Sequence, residues 1–378
     1  MTEGSPVRVG IDARILSNPR YTGIERPLLG LLEGLREIAD PPEVLLYARG
    51  EPSGLLDLPS CARWRILKAR FGWLTIALPL AARRDRCDVV YFPYPVLPPY
   101  CRLPTVAMIH DLGFVRFPKH YPAEMLRNLV EPMRRSARRA THLAAVSEST
   151  KRDLVELFGI GASKISVVYH GVGAEFAPVP NAQEKVRARL GLERPYVLFV
   201  GTVQPRKNLP RLIEAFARVV GEQGIEHELV IAGQKGWLAE ESLRAPQKFR
   251  VEQRVRFVDY VPEDMLPSLY SAADALAYPS LYEGFGLPAL EAMACGVPVL
   301  ASKTSSLPEV AGDAAILVDP ASVEAIAEGL AGILLDERLR ADLREKGIAR
   351  ARSFTWANSA RGLISVFHRC ADHFTALR

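Results

Sequence analysis

PSLYEGFGLPALEAMACGVPV, residues 279–299, places two glutamates eight positions apart, Glu283 and Glu291, around a Gly-Phe-Gly-Leu-Pro turn. Residues 275–279 read as a short buried strand, 288–294 have helix-forming composition, and 297–301 read as the next strand. Strand, helix and strand in that order make the unit of a parallel sheet covered by helices. Within the turn, proline suits the first helical position, where its missing N–H is no loss, and glycine lets the backbone come close to a ligand. Free N–H groups and the positive end of the helix dipole would face a phosphate or diphosphate. The two carboxylates would accept hydrogen bonds from sugar hydroxyls. An ordinary turn with a surface acid on either side has the same spacing, so the stretch alone leaves both readings open.

The same alternation runs through the chain. Strand-like runs at 7–11, 44–47, 89–92, 105–109, 143–146 and 165–168 recur at 196–200, 228–231, 255–257, 275–278, 297–301 and 315–318. Helical stretches separate them, the clearest of the first half at 24–38, 123–140 and 149–157. This argues for an α/β chain whose parallel sheets are covered on both faces. A chain of 378 residues is comfortable as two domains. The proline-broken APVPN at 177–181 is the expected linker, giving domains over 1–178 and 179–355. The last helix, within 356–378, has no strand after it and is expected to pack back on the first domain. In open sheets of this kind ligands sit outside the carboxyl ends of the strands, so the loops that follow strands are where chemistry is expected.

Composition narrows the class. With 48% hydrophobic and 24% charged residues the chain is globular, and five cysteines without a CxxC pair suggest neither a disulfide framework nor a zinc site. A reducing cytoplasm is the expected compartment. The N-terminal MTEGSPVRVGIDAR lacks a leader-like apolar core, and the longest uncharged apolar run, 71–82, is too short to span a bilayer. Charge is uneven: residues 1–180 hold 24 Lys and Arg against 18 Asp and Glu, or +6, and the rest hold 24 against 25, or −1. Much of the excess falls in 64–84 and 127–142, which mix arginine with Trp, Phe, Leu and Met. Such segments suit the inner face of an anionic membrane; they also suit solvated helix faces whose long side chains cover apolar surface. No nucleic-acid-binding motif is present, so nucleic acid is not an expected partner.

Further candidates follow other strands. Gly23, in YTGI after the first strand, opens a helix and offers a second phosphate-facing start. Arg206 and Lys207 stand just before the helix expected from Leu209. Cations there oppose the helix dipole unless an anion lies between them and the helix end. His110 and Asp111 follow the strand at 105–109 and are read either as ligand contacts, the histidine donating to a hydroxyl or supporting a carbonyl, or as a packed histidine and a turn cap. Ser147 reads as an N-cap, and His170 as structural. The chain lacks both GxGxxG after the first strand and GxxxxGK[ST], so nicotinamide oxidoreductases and P-loop NTPases are not expected. It also lacks a DxD pair, the usual carboxylate seat for a divalent metal on a diphosphate. A diphosphate would then be neutralised by Arg206, Lys207 and helix ends, with no metal or cofactor.

The second half, from VGTVQPRKNLPRLIEAF through the opening stretch to GDAAILVDP, closely resembles retaining glycosyltransferases of family 4, including the ExxxxxxxE signature at Glu283 and Glu291. The first half resembles them more loosely, through IDAR, TGIER, His110-Asp111 and AVSESTKRDL followed by VVYHGVG. The resemblance implies the GT-B fold, two Rossmann-like doubly wound parallel-sheet domains facing a central cleft. It implies a nucleotide-sugar donor held mainly by the second domain and a glycan or lipid-linked acceptor entering from the first. On this chain Arg206 and Lys207 would neutralise the diphosphate, and Gly23 with the backbone of Gly286 and Leu287 would cradle it. Glu291 would accept from the ribose, Glu283 would hold the donor sugar, and His110 would approach the sugar near the reacting carbon. The base would lie near 233–235 and 258–261. The TGIER and HDLGFVRFP stretches look like those of bacterial surface-polysaccharide mannosyl- and rhamnosyltransferases, so mannose from GDP-mannose is one candidate hexose. The alternatives are a non-catalytic nucleotide-sugar-binding subunit, against which the intact His110, Lys207, Glu283 and Glu291 speak, or another GT-B enzyme such as a sugar-nucleotide epimerase.

Overall fold

The computed structural model describes residues 7–17, 25–50 and 56–376, with side chains up to Asp372. It divides into two compact units, Met1–Leu112 with Arg127–Gly171 and Phe354–Arg378, and Gly113–Leu126 with Val172–Ser353.

The first unit holds a seven-stranded sheet: β1 (Arg8–Asp12), β2 (Glu43–Ala48), β3 (Ala62–Ile66), β4 (Val89–Phe92), β5 (Thr105–Ile109), β6 (His142–Ala145) and β7 (Ile165–Val167). Their order is β3-β2-β1-β4-β5-β6-β7, with every pairing parallel. The second unit holds six: β8 (Tyr196–Val200), β9 (Glu228–Ala232), β10 (Val255–Phe257), β11 (Ala275–Tyr278), β12 (Val299–Ser302) and β13 (Ala315–Val318). Their order is β10-β9-β8-β11-β12-β13, again all parallel. Parallel strands covered on both faces bury every side chain; β4, β5, β6 and β11 do so along their whole length. In each sheet the chain order reverses once, between β1 and β4 and between β8 and β11. Crossovers leave on opposite faces there, and a crevice opens outside the strand ends.

Every strand read from the alternation is present within two residues of its expected ends. β12 starts at Val299 because Val297 N–H is spent on Ala292 O, closing the preceding helix, and Pro298 has no N–H to give. β3 was not expected. Its residues ARWRI open the basic stretch 64–84, which is therefore no single amphipathic segment: an edge strand with alternating exposure comes first and a helix follows.

The last helix, Trp356–Ala376, lies on helix Arg26–Leu35 and on β4, β5 and β6 of the first unit. A Cβ at Gly30 would stand 2.1 Å from the Trp356 ring, and one at Gly34 would stand 2.2 Å from the Trp356 carbonyl oxygen, so only glycine admits the contact. In the second unit, Gly113–Leu126 is held by Trp237, whose Nε1–H donates to the His120 carbonyl at 2.8 Å and whose ring lies 5.4 Å from that of Tyr121.

Candidate active site

The second unit's site is built where the chain leaves β8 and β11, the neighbours at its switch point. Beyond β8, the backbone passes so close to the exit of β9 that a Cβ on Gly233 would lie 2.1 Å from the Gly201 carbonyl oxygen. Pro205–Lys207 then makes a 3-10 turn, and Asn208, left-handed at φ 61°, leads into helix Leu209–Gln223. The Asn208 side-chain amide donates to the carbonyls of Pro279 at 2.9 Å and Pro320 at 2.7 Å, tying together the exits of β8, β11 and β13. Arg206 O accepts from Leu281 N–H at 2.9 Å. The loop after β11 is pinned from its other side: Glu283 N–H donates to Ser305 Oγ at 2.9 Å, and the Ser306 hydroxyl donates to the carbonyls of Glu283 and Phe285.

This framework closes an ion cluster. Arg206 Nη1 donates to Glu283 Oε2 at 2.9 Å and to the Tyr282 carbonyl, and Lys207 Nζ donates to Glu283 Oε1 at 2.6 Å. Lys207 also donates to the Tyr278 hydroxyl at 2.5 Å, with the ring 4.8 Å away. Arg206, Lys207 and Glu283 are each 7% exposed or less. Burial alone would raise the Glu283 carboxyl, but the charges of Arg206 and Lys207 override it and hold it at about 2. Burial pushes the Tyr278 phenol well up, so it stays protonated. The cluster thus brings two cations and a carboxylate together out of reach of bulk water.

Next along the chain, Gly286 turns at φ 101° into helix Leu287–Ala294, with Pro288 in its first turn. The first N–H groups of such a helix have no partner four residues back. Glu291, one turn further on and buried, accepts from the Tyr270 hydroxyl at 2.8 Å. Neither glutamate is a surface acid, and neither Arg206 nor Lys207 is a solvated cation.

Several contributors were not read from the sequence. Tyr278, Tyr270 and Asn208 are among them. The buried Gln204 has a side-chain oxygen with no partner among the described residues, beside Arg206 in the chain. Phe117 places its ring 6.0 Å from Tyr282, and His120 stacks on Phe117 at 5.5 Å. Burial, then the charges of Arg206 and Arg211, lower the His120 imidazole. The HDLGFVRFPKHY run signals aromatic packing, but not against which strand ends.

In the first unit, His110 and Asp111 follow β5. The His110 Nε2 lies 2.8 Å from the Pro93 carbonyl, which can only accept, so Nε2 carries the proton. Burial lowers the imidazole, leaving the neutral ring with Nδ1 as an acceptor. Of the expected roles, donation to a hydroxyl finds Nε2 engaged by the Pro93 carbonyl, and Nδ1 is left to accept. His170 stacks 5.6 Å from His110 and 5.8 Å from Trp356, a structural support. The Ser147 cap is present, its Oγ accepting from Thr150 N–H at 3.0 Å. Gly23 lies outside the described residues.

Residues 182–350 match the family described as "Glycosyl transferases group 1", and residues 21–176 match "Glycosyltransferase Family 4". The O-antigen chain mannosyltransferase B of Escherichia coli is 32% identical over 292 residues, 76% of this chain and 76% of that protein. The serotype-specific mannosyltransferase WbdA of Escherichia coli is 30% identical over 236 residues, 61% of this chain but only 29% of that longer protein. Among solved structures, the sucrose-phosphate synthase from Thermosynechococcus elongatus aligns over 96% of this chain and 98% of its own with a TM-score of 0.74 at 21% identity, a likeness of fold.

Proposed function

The chain belongs to the family 4 glycosyltransferases, with the GT-B fold, and on that premise we propose that it moves a hexose, mannose from GDP-mannose first, onto a glycan or lipid-linked acceptor. The observation that carries this reading is the buried Arg206–Lys207–Glu283 cluster at the switch point, two adjacent cations beside a glycine-led helix start. Paired cations of this kind suit a diphosphate, and the helix start of Gly286 and Leu287 adds N–H donors to them. Glu283 is the acceptor for a donor-sugar hydroxyl, and Glu291 for a ribose hydroxyl. Gln204 adds a third acceptor. In the first unit, His110 accepts a substrate hydroxyl through Nδ1 and Asp111 stands beside it. Gly23 retains its proposed part in phosphate binding on its sequence context.

The reaction is read as retaining and metal-independent. A carboxyl at about 2 is a poor proton acceptor at neutral pH, so Glu283 is not the base. The bond from the anomeric carbon to the diphosphate oxygen breaks, and the acceptor oxygen bonds to that carbon on the same face. The acceptor proton passes to the departing diphosphate. Arg206 and Lys207 stabilise the charge that grows on the leaving oxygens.

The test is a panel of nucleotide sugars with the purified chain, read first by thermal protection and then by slow donor hydrolysis, with and without chelator. GDP-mannose is expected to raise the melting temperature and to be hydrolysed equally in both. Protection by no nucleotide sugar would overturn the transfer reading, and loss of turnover with chelator would overturn metal independence.

A further inference from the structure

The first unit has a feature that the transfer chemistry does not use. Trp73–Ala77 forms a π-helical turn that runs into helix Leu78–Arg84. The inward row is Trp73, Leu78 and Ala82, all at most 1% exposed. A spacing of five residues, then four, is what a π turn followed by an α turn gives. The same spacing, two residues earlier, runs Phe71, Ile76, Leu80 and on to Arg84. There exposure is inverted: Phe71 is 83% exposed, Ile76 60% and Leu80 50%. Gly72, left-handed at φ 62°, leaves room for Ile76, whose Cδ1 lies 3.1 Å from where a Cβ would stand, so Ile76 lies against the backbone beside Phe71. The row has a firm base, because Trp73 Nε1–H donates to the Leu67 carbonyl at 3.1 Å and the Arg14 guanidinium covers the ring at 4.9 Å.

Cations flank it in the chain. Lys68, Arg70, Arg83, Arg84 and Arg86 are exposed, Arg70 with its guanidinium 5.6 Å from the Phe71 ring. Two acids of the same stretch of chain are engaged: Asp85 accepts from Arg65 at 2.7 Å and Tyr47 at 2.9 Å, and Asp88 from the Arg8 backbone N–H at 2.8 Å.

We propose that this row docks the first unit on an anionic lipid surface. Phe71, Ile76 and Leu80 enter the headgroup region while the five cations hold lipid phosphates. Charge complementarity selects that partner. Three apolar side chains make a poor core for a stable protein interface, which buries at least about 1,200 Å². Insertion of those three side chains and attraction of five exposed cations add up on a membrane. The docking stands independently of the transfer reading and is read on the protein alone.

The full chain is floated with phosphatidylglycerol-rich vesicles and, separately, with pure phosphatidylcholine vesicles. Co-flotation is expected with the anionic vesicles alone, weakening with salt. The combined change Phe71→Ser, Ile76→Ser and Leu80→Ser should reduce partition about tenfold or more, and Arg83→Glu with Arg84→Glu about tenfold. Both variants should melt and hydrolyse donor like the parent in vesicle-free solution, which separates a lost surface from a lost fold. A parent that does not float, equal flotation on neutral vesicles, flotation indifferent to either set of changes, or a parent dimer that the triple change makes monomeric would each overturn the proposal. Failure of the transfer reading would show differently, as absent donor hydrolysis with flotation intact.

Discussion

Replacing Glu283 by glutamine keeps the size of the side chain and removes its charge, leaving Arg206 and Lys207 buried without their carboxylate. Breaking a buried ion pair from one side costs about 3–5 kcal/mol, so the second unit should melt earlier. The two cations remain, however. GDP affinity should therefore be kept or rise while turnover of donor falls about a hundredfold, the worth of a charge-assisted hydrogen bond to the sugar. Calorimetry with GDP beside a turnover assay checks the split; a loss of GDP binding equal to the loss of turnover would refute it. The same carboxyl makes stability depend on acid. Its folded value of about 2 lies below an unfolded value of about 4.3, so its ion pairs contribute in full above pH 4.3 and lose that contribution as pH falls toward 2. Of the order of 3 kcal/mol should vanish once pH falls below about 2, roughly half of it between pH 5 and pH 3, where urea midpoints read it, and Glu283→Gln should flatten the difference. The sequence displayed the acids and cations but not their pairing, because 77 positions separate Arg206 from Glu283 and only the sheet order brings them together. The His110 tautomer was likewise beyond it, being set by the Pro93 carbonyl.

At the scale of elements, the helix starts differ in what they do, and two substitutions separate them. Gly286 at φ 101° has a backbone that other residues adopt only under strain of about 1–3 kcal/mol, and a Cβ there would press on Leu307 Cδ2 at 2.6 Å. Gly286→Ala should lower the melting temperature and weaken GDP binding, because the helix start proposed to face the diphosphate must shift. Ser147→Ala removes the cap of helix Glu148–Phe158 and should cost about 1 kcal/mol while leaving GDP affinity unchanged. Thermal melts paired with GDP titrations distinguish a structural start from a binding one. Both starts were legible, since serine before an acid-led helix and glycine-proline before an apolar one are local signals. β3 was not, because an edge strand with charged residues on its outward face lacks the apolar run that marked the others. Nor did periodicity mark Gly113–Leu126 as belonging with the second unit; its anchors, Trp237 and Tyr282, lie more than a hundred residues further along.

Across the whole molecule, the chain passes between its units four times, at 112/113, 126/127, 171/172 and 353/354, so the first unit is completed only by the last helix. That dependence has a sequence trace in Gly30 and Gly34, four residues apart in a leucine-rich helix, although the sequence does not name Trp356 as what they admit. The helix brings Trp356, Leu363, Val366 and Phe367 into the first unit's core, each at most 7% exposed, with Phe367 lying 5.5 Å from Tyr91 of β4. Large apolar side chains removed from a core cost about 2–5 kcal/mol each, and four together exceed much of the 5–15 kcal/mol that holds a domain. A chain ending at residue 353 should therefore lose hydrogen-exchange protection in β1–β7 while β8–β13 keep theirs. Arg206, Lys207, Glu283 and Gly286 remain whole in that shortened chain, so it should still bind GDP with protection concentrated at 201–208 and 281–291, yet transfer no sugar. If truncation abolished GDP binding while leaving β8–β13 protected, the diphosphate site would depend on the first unit, Gly23 included, and its placement mainly on the second would be wrong.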